Sequence, residues 1–204
     1  ILPYKMLHQK LIKIIRNLIC IAGLVCIAPF LLIAALILVL EDGLPIFFIQ
    51  NRVGQNKEIF KIFKIRTLKN GTPNTGTHEL EAKHRLKIGV VIRKMKLDEF
   101  PQLLNVIKGD INLVGPRPGL PNQARLLKDR SDRKIFKIKP GITGLAQVMG
   151  YDMSSPEKLS TVDEMYVNNK SFWIDVLILI ATFANFPKHY LSQHFKIEDI
   201  SGFK

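Results

Sequence analysis

The chain has 204 residues, 47% of them hydrophobic, and carries 30 Lys and Arg against 17 Asp and Glu, a net charge of +13. That length admits one domain of ordinary size with a small appendage, and the apolar content excludes a disordered chain. The positive balance points to a polyanionic partner: nucleic acid, anionic lipid or a phosphorylated small molecule.

The two cysteines, Cys20 and Cys26, lie in the most apolar stretch. Six positions apart on a helix they are poorly placed to bridge, so they read as small apolar residues and imply no disulfide framework. That favours a reducing compartment for the soluble part. The first residue is Ile rather than Met, so the start reads as a boundary, either of processing or of the expressed fragment.

From Leu18 to Leu40 there is no charged residue. As a continuous helix these residues reach roughly 34 Å, enough for a hydrocarbon core. The run is long for a signal peptide, and Leu40-Glu-Asp-Gly43 is no small-residue cleavage site. Lys5, Lys10, Lys13 and Arg16 precede the run; Arg52, Lys57, Lys61, Lys64 and Arg66 follow it. Each flank therefore has a claim to the cytoplasm. A single spanning helix cannot satisfy both, whereas a helix that bends at Pro29 and turns back can. On charge and proline alone, spanning and re-entrant helices both stay open. The residue before the proline, Ala28, offers no hydroxyl for the carbonyls that proline frees.

Past Gly43 the pattern turns to short β-like runs. Ile46–Gln50 and Phe63–Thr67 flank Val53–Lys57, predicting a loose hairpin. Alternation places Lys64 and Arg66 on one face of the second strand. That face is either solvated or aimed at phosphate or lipid headgroups. Lys69–His78 is polar, rich in Gly and Thr, and reads as a surface loop that could serve as a lid. His78 and His84 have no neighbours at metal-ligand spacing and read as solvated residues. A helix is predicted over Glu79–Met95, interrupted or bent near Gly89, with basic residues crowding the approach to Asp98.

Pro101 is tolerated only in a helix's first turn, so a helix must begin close to Asp98–Phe100, with Leu103, Leu104 and Ile107 as its apolar stripe and Gly109 as its stop. Asp98 and Glu99 thus stand at a helix start, where free amides and the dipole also favour phosphate. The plain reading is a helix cap. The chemical one gathers two anions and a phosphate, which basic residues and a divalent ion would reconcile; hard oxygen ligands suit Mg2+. One carboxylate could then attack phosphorus as a nucleophile, or act as base for another attacker. Gly115-Pro-Arg-Pro-Gly119 fixes the backbone around Arg117, which lowers the entropy lost when its guanidinium clamps a phosphate.

Further on, Pro121–Arg130 reads as a polar helix, and Lys139-Pro-Gly-Ile-Thr-Gly144 as a tight loop whose amides could face an anion. Ser154-Ser-Pro-Glu157 starts a helix on which Leu159, Val162, Asp163 and Tyr166 share one face. A carboxylate on an apolar face must be paired or functional. Phe172–Ala181, with Trp173 at one end and Asp175 within, is either an interfacial helix on a membrane or a core helix.

These segments together resemble the bacterial sugar transferases, the monotopic phosphoglycosyl transferases that start glycan assembly on a polyprenol carrier. The resemblance runs from about Lys10 to Thr182. It is carried by Pro29, Phe47-Phe-Ile-Gln-Asn-Arg-Val-Gly54, Phe60-Lys-Ile-Phe-Lys-Ile-Arg-Thr67, Leu97–Asp110, Val114-Gly-Pro-Arg-Pro118 and Lys139-Pro-Gly-Ile-Thr-Gly-Leu-Ala-Gln147. It implies an α+β fold, predominantly helical with a small β-hairpin. Residues 1–42 would form a re-entrant membrane helix broken at Ala28–Pro29, and 43–204 a catalytic domain with interfacial amphipathic helices, one near 172–186. It implies the small, catalytic-domain-only form of the family, at the cytoplasmic face of the bacterial inner membrane.

The resemblance further implies transfer of a sugar 1-phosphate from a UDP-sugar to undecaprenyl phosphate, releasing UMP. Asp98 would be the nucleophile, giving a phosphosugar–aspartate intermediate, and Glu99 would assist, both at Mg2+. Lys64, Arg66, Arg93, Arg117, Thr143, Gln147 and Asp163 would bind substrate. The expected partners are the UDP-sugar, undecaprenyl phosphate and membrane lipids, with a homodimer left open and no nucleic acid. Three positions depart from the family pattern: Ala28 where Ser is frequent, Lys96 where a small hydroxyl residue is usual, and Val148-Met-Gly-Tyr151 where Val-Asn-Gly-Arg is common. From a different class, a membrane-anchored polyanion-binding protein would use the +13 charge, but it leaves Asp98, Glu99 and Asp163 without a purpose.

Overall fold

The structure, a computed structural model, describes residues 2–73 and 84–197. The chain divides into two compact units. The first comprises Ile1–Gln50, Ile62–Thr75 and Glu79–Gly109; the second comprises Asn51–Lys61, Gly76–His78 and Asp110–Lys204.

In the first unit, helix α1 (Leu2–Asp42) runs as one element with Pro29 inside it. It is long and apolar enough to cross a membrane. Leu18, Ile21, Val25, Phe30, Leu32, Leu36 and Leu40 are exposed along it, whereas a helix in the core of a soluble protein would bury such residues. One stripe behaves differently. Ala34 and Leu38, with Ile27 and Leu31, pack against Ile65, Leu86, Ile92 and Leu97. Their spacing by three and four residues is the helical repeat of a single buried face.

Strands β1 (Phe47–Val53) and β2 (Ile59–Ile65) pair as a hairpin, longer than Ile46–Gln50 and Phe63–Thr67 suggested. Because β2 stops at Ile65, the strand alternation does not carry Arg66 to the side of Lys64. Helix α2 (Lys87–Lys94) contains Gly89 without a bend, so the predicted helix keeps its C-terminal half. Residues 79–83, like the second half of the expected lid with His78, lie outside the described residues. Gly89 sits within the helix because of contact rather than bending. A Cβ there would come 2.2 Å from the Thr67 carbonyl oxygen, where the chain leaves β2.

Leu97–Glu99 then forms a 3-10 turn, followed by α3 (Gln102–Lys108), which Gly109 ends in the left-handed conformation at φ 90°. Helix α3 buries Gln102, Asn105 and Val106, while Leu104 is exposed. The expected stripe of Leu103, Leu104 and Ile107 is therefore not the core face. Leu103 instead meets α1 at Gly23, whose missing side chain leaves room for it. The polar face turns to β2, where Asn105 Oδ1 accepts the Phe63 amide hydrogen at 3.1 Å.

The second unit holds β3 (Asn112–Val114) and β4 (Gly141–Thr143), paired in parallel with Asn112 opposite Gly141 and Val114 opposite Thr143. This second sheet corrects the reading of Lys139–Gly144 as a loop with amides free for an anion: the Gly141 amide donates to the Pro116 carbonyl at 3.0 Å. The glycines serve a close crossing. Cβ atoms at Gly141 and Gly144 would lie 2.1 Å from the Gly115 nitrogen and 2.3 Å from its oxygen.

Around this pair stand α4 (Ala124–Asp132), α5 (Leu145–Val148), α6 (Pro156–Asn169), α7 (Phe172–Ala181) and α8 (Phe186–Phe195). Their core joins Leu126, Leu145, Met149, Leu159, Val162, Tyr166, Ile178 and Leu191. Helix α7 is a core helix along Ile174, Ile178 and Ala181, while Phe172 and Trp173 at its start are each 72% exposed. Helix α6 starts one residue later than its Ser-rich signal suggested, with Ser155 at the cap position.

Candidate functional site

In the first unit, the left-handed Lys96 (φ 57°) ends the turn after α2, and Leu97–Glu99 follows. Asp98 and Glu99 therefore sit on a 3-10 turn ahead of α3 rather than in its first turn. Asp98 is 9% exposed. Lys64 Nζ on β2 lies 3.2 Å from Glu99 Oε1, in a pair whose side chains are 13% and 15% exposed. Screening by water is weak at that burial, so the ion pair turns Glu99 toward the strand. Arg93, in the last turn of α2, donates from Nε to Thr67 Oγ1 at 2.7 Å.

Arg66 is placed elsewhere in the same unit. Its guanidinium bonds Asp42 and the carbonyls of Gly43, Pro45 and Leu68. Asn70 adds its amide hydrogen to Asp42 Oδ2 at 2.9 Å. Beside this lock, Glu41 accepts the amide hydrogens of Lys87 at 2.7 Å and Ile88 at 3.0 Å, the first donors of α2. The end of α1 thus fixes where α2 starts, and α2 leads into the turn with Asp98. Ala28 and Pro29 lie further back in α1, within the apolar run.

In the second unit, Arg117 leads the arrangement. With the Gln147 amide oriented to satisfy both neighbours, its oxygen accepts from Arg117 Nη1 at 3.0 Å and its nitrogen donates to Ile142 O at 3.3 Å. Thr143 is 3% exposed and its hydroxyl meets Thr182 Oγ1 at 2.8 Å, joining β4 to the end of α7. Asp163, 2% exposed on α6, is bonded to Arg130 of α4. Burial pushes its carboxyl above the ordinary range, and the guanidinium opposes that. Arg130 in turn donates from Nη1 to the Arg117 carbonyl at 2.7 Å. Asp163 therefore connects to the Arg117 turn through an arginine.

Sequence reasoning missed Arg130, Asp42 and Glu41. A signal for Arg130 exists, since it lies four residues after Leu126 on the buried stripe of an otherwise polar helix. A cation on an apolar stripe is as anomalous as Asp163 on its own, and the two anomalies pair.

Among the described residues no three His, Cys, Asp or Glu side chains gather to hold a metal. Asp98 and Glu99 provide two adjacent carboxylates, hard oxygen donors of the kind that Mg2+ takes together with phosphate oxygens.

The family model for bacterial sugar transferases matches residues 8–189. This chain belongs to the bacterial sugar transferase family. Among its relatives, the uncharacterized sugar transferase EpsL of Bacillus subtilis is 41% identical over 146 residues, 72% of each chain. The UDP-N-acetylgalactosamine-undecaprenyl-phosphate N-acetylgalactosaminephosphotransferase of Aeromonas hydrophila is 37% identical over 72% of this chain and 36% of its own length. The undecaprenyl-phosphate galactose phosphotransferase of Salmonella typhimurium is 34% identical over 71% of this chain and 34% of its own. This sugar transferase thus spans about a third of the length of these last two relatives. The matched residues 8–189 take in most of α1 together with the Asp98–Glu99 turn and the Arg117 turn.

Proposed function

We propose that this sugar transferase moves a sugar 1-phosphate from a UDP-sugar to undecaprenyl phosphate, through a covalent intermediate on Asp98. The observation that carries the reading is the Asp98–Glu99 turn itself: a buried Asp98 beside a Glu99 that is ion-paired with Lys64, in a unit whose long helix is apolar and exposed. The relatives named for undecaprenyl-phosphate phosphotransfer support it.

In this scheme an Asp98 carboxylate oxygen attacks the phosphorus that bears the sugar. The bond from that phosphorus to the bridging oxygen breaks, and UMP leaves with that oxygen. A phosphate oxygen of undecaprenyl phosphate then attacks the same phosphorus, and Asp98 departs as carboxylate. Glu99 and Asp98 would hold Mg2+, which supplies charge neutralisation at the phosphates. Lys64 orients Glu99. Arg93 and Arg117 are assigned to diphosphate or nucleotide, with Gln147 orienting Arg117; Arg66, Thr143 and Asp163, engaged by Asp42, Thr182 and Arg130, would serve binding by holding the framework around these residues.

A lipid-borne acceptor requires the protein at the membrane. We place α1 in the bilayer bent at Pro29 and turning back, so that both basic flanks and the catalytic residues after residue 42 face the cytoplasm, where nucleotide sugars are made. Release of UMP from a panel of UDP-sugars, with Mg2+ and undecaprenyl phosphate, tests the reaction. Asp98→Asn should abolish it, and a phosphosugar adduct should be trapped on the wild-type chain when the acceptor is withheld. Undiminished UMP release by Asp98→Asn would overturn the nucleophile.

A further inference from the structure

Four consecutive carbonyls in the second unit are each held from a different place. Gly141 N–H donates to the Pro116 oxygen at 3.0 Å, and Val53 N–H to the Gly119 oxygen at 3.0 Å. Arg130 Nη1 donates to the Arg117 oxygen at 2.7 Å, and Arg52 Nη1 to the Pro118 oxygen at 3.0 Å. Prolines 116 and 118 have no N–H, so this turn cannot be anchored by its amides at those positions and its carbonyls must take the load.

Two of the donors are backbone amides and two are guanidiniums. Arg130 is the deeply buried guanidinium, at 2% exposure, and its partner Asp163 is equally buried. Its Nε is buried with no hydrogen-bond partner among the described residues. As a way of holding α4 against α6, a buried ion pair is inferior or equal to apolar side chains of the same volume. What apolar side chains cannot supply is a charged donor for the carbonyl of the one arginine set between two prolines.

We propose that Arg130, oriented by Asp163, is a positioning residue for Arg117. It fixes the Arg117 carbonyl, and with it the direction in which the Arg117 side chain leaves the turn toward Gln147. Asp163 then serves substrate binding through Arg130 and the turn, without touching substrate. This deepens the reading above, in which Arg117 binds the donor's phosphates, and depends on it for the kinetic readout alone.

The test uses the full chain in lipid nanodiscs. Arg130→Met combined with Asp163→Asn removes both charges, so neither is left buried alone. In the folded double variant, amide exchange over residues 115–120 should accelerate about tenfold or more, the scale of a lost charge-assisted hydrogen bond. With a UDP-sugar that the wild type turns over, KM for the donor should rise about tenfold while kcat changes little, the signature of lost ground-state binding. Adding Arg117→Ala to the double variant should raise KM no further than Arg117→Ala alone, because the group being positioned is gone. Arg130→Lys, which keeps a cation for Asp163 but replaces the fork by one nitrogen, should also speed exchange over 115–120; it decides the matter if the double variant does not fold. Unchanged exchange over 115–120, or KM effects that multiply independently of Arg117→Ala, would overturn the proposal. A wild type with no turnover of any UDP-sugar would defeat the functional reading and leave the exchange measurement to decide this one.

Discussion

Lys64 on β2 and Glu99 on the turn before α3 form a 3.2 Å ion pair, tying the hairpin to the acidic turn across 35 residues of sequence. The pair is largely sheltered, so its loss matters more than that of a surface bridge. Lys64→Met removes that cation from Glu99 and with it the contact that orients the carboxylate toward β2. UMP release should fall about 10- to 100-fold, the range of a hydrogen bond to a charged group. In a Glu99→Gln background the same substitution should do much less. Equal effects in both backgrounds would separate Lys64 from Glu99.

Gly89→Ala separates helix propensity from packing. Gly89 is inside α2, where Ala would ordinarily gain about 1 kcal/mol. Its Cβ, however, would meet the Thr67 carbonyl oxygen at 2.2 Å and the carbonyl carbon at 2.9 Å, both backbone atoms with little room to yield. The clash should win, with a net loss of about 1–3 kcal/mol. Activity should fall with it, because displacing α2 displaces the turn that carries Asp98. Chemical denaturation in detergent checks the sign, and a stabilised variant would refute the contact.

The acidic turn and the Pro-Arg-Pro turn are legible in the chain because proline and glycine dictate the local backbone. Pro101 and Gly109 bracket α3 closely enough to place Asp98 and Glu99 within a residue or two. Asp163 is legible for another reason, its helical spacing with Leu159, Val162 and Tyr166. Their partners are not legible. Arg130 meets Asp163 across 33 residues and Arg66 meets Asp42 across 24, and no local rule names which cation reaches which anion. Strand β4 has only three residues, too few for a period, and its glycines look like a loop until the crossing with Gly115 is seen. Helix α3 misleads because a soluble core is the usual destination of an apolar stripe, whereas its Leu103 faces α1.

Glu41 takes the place of a local cap for α2, whose own preceding residue, Leu86, makes no side-chain cap bond. Glu41→Ala orphans two amide hydrogens at once and should cost about 1–2 kcal/mol, the scale of a lost N-cap. Glu41→Gln keeps one oxygen and should recover part of that. Hydrogen exchange at the Lys87 and Ile88 amides should accelerate in the order wild type, Gln, Ala. Exchange there that ignores Glu41 would remove the link from the end of α1 to α2.

Asp175 gives a pH dependence whose sign follows from its setting. The Tyr166 hydroxyl donates to its Oδ1 at 2.7 Å, and Tyr166 also reaches the Val114 carbonyl at 3.4 Å. Burial raises the Asp175 carboxyl above its ordinary 3.8, with Tyr166 and Lys170 opposing. Folded chains therefore keep this proton to higher pH than unfolded ones. Below the ordinary value both states are protonated and the group is neutral to stability; as pH rises toward the folded value, the unfolded state releases the proton first and stability falls. Asp175→Asn preserves the shape and the acceptor oxygen without the charge. It should unfold at a higher temperature than the wild type at pH 7, and the difference should close as the pH is lowered toward 4. Thermal unfolding of both proteins across that range measures it, and a variant that is less stable at pH 7, or a gap that stays constant with pH, would show that Asp175 is not penalised by its burial.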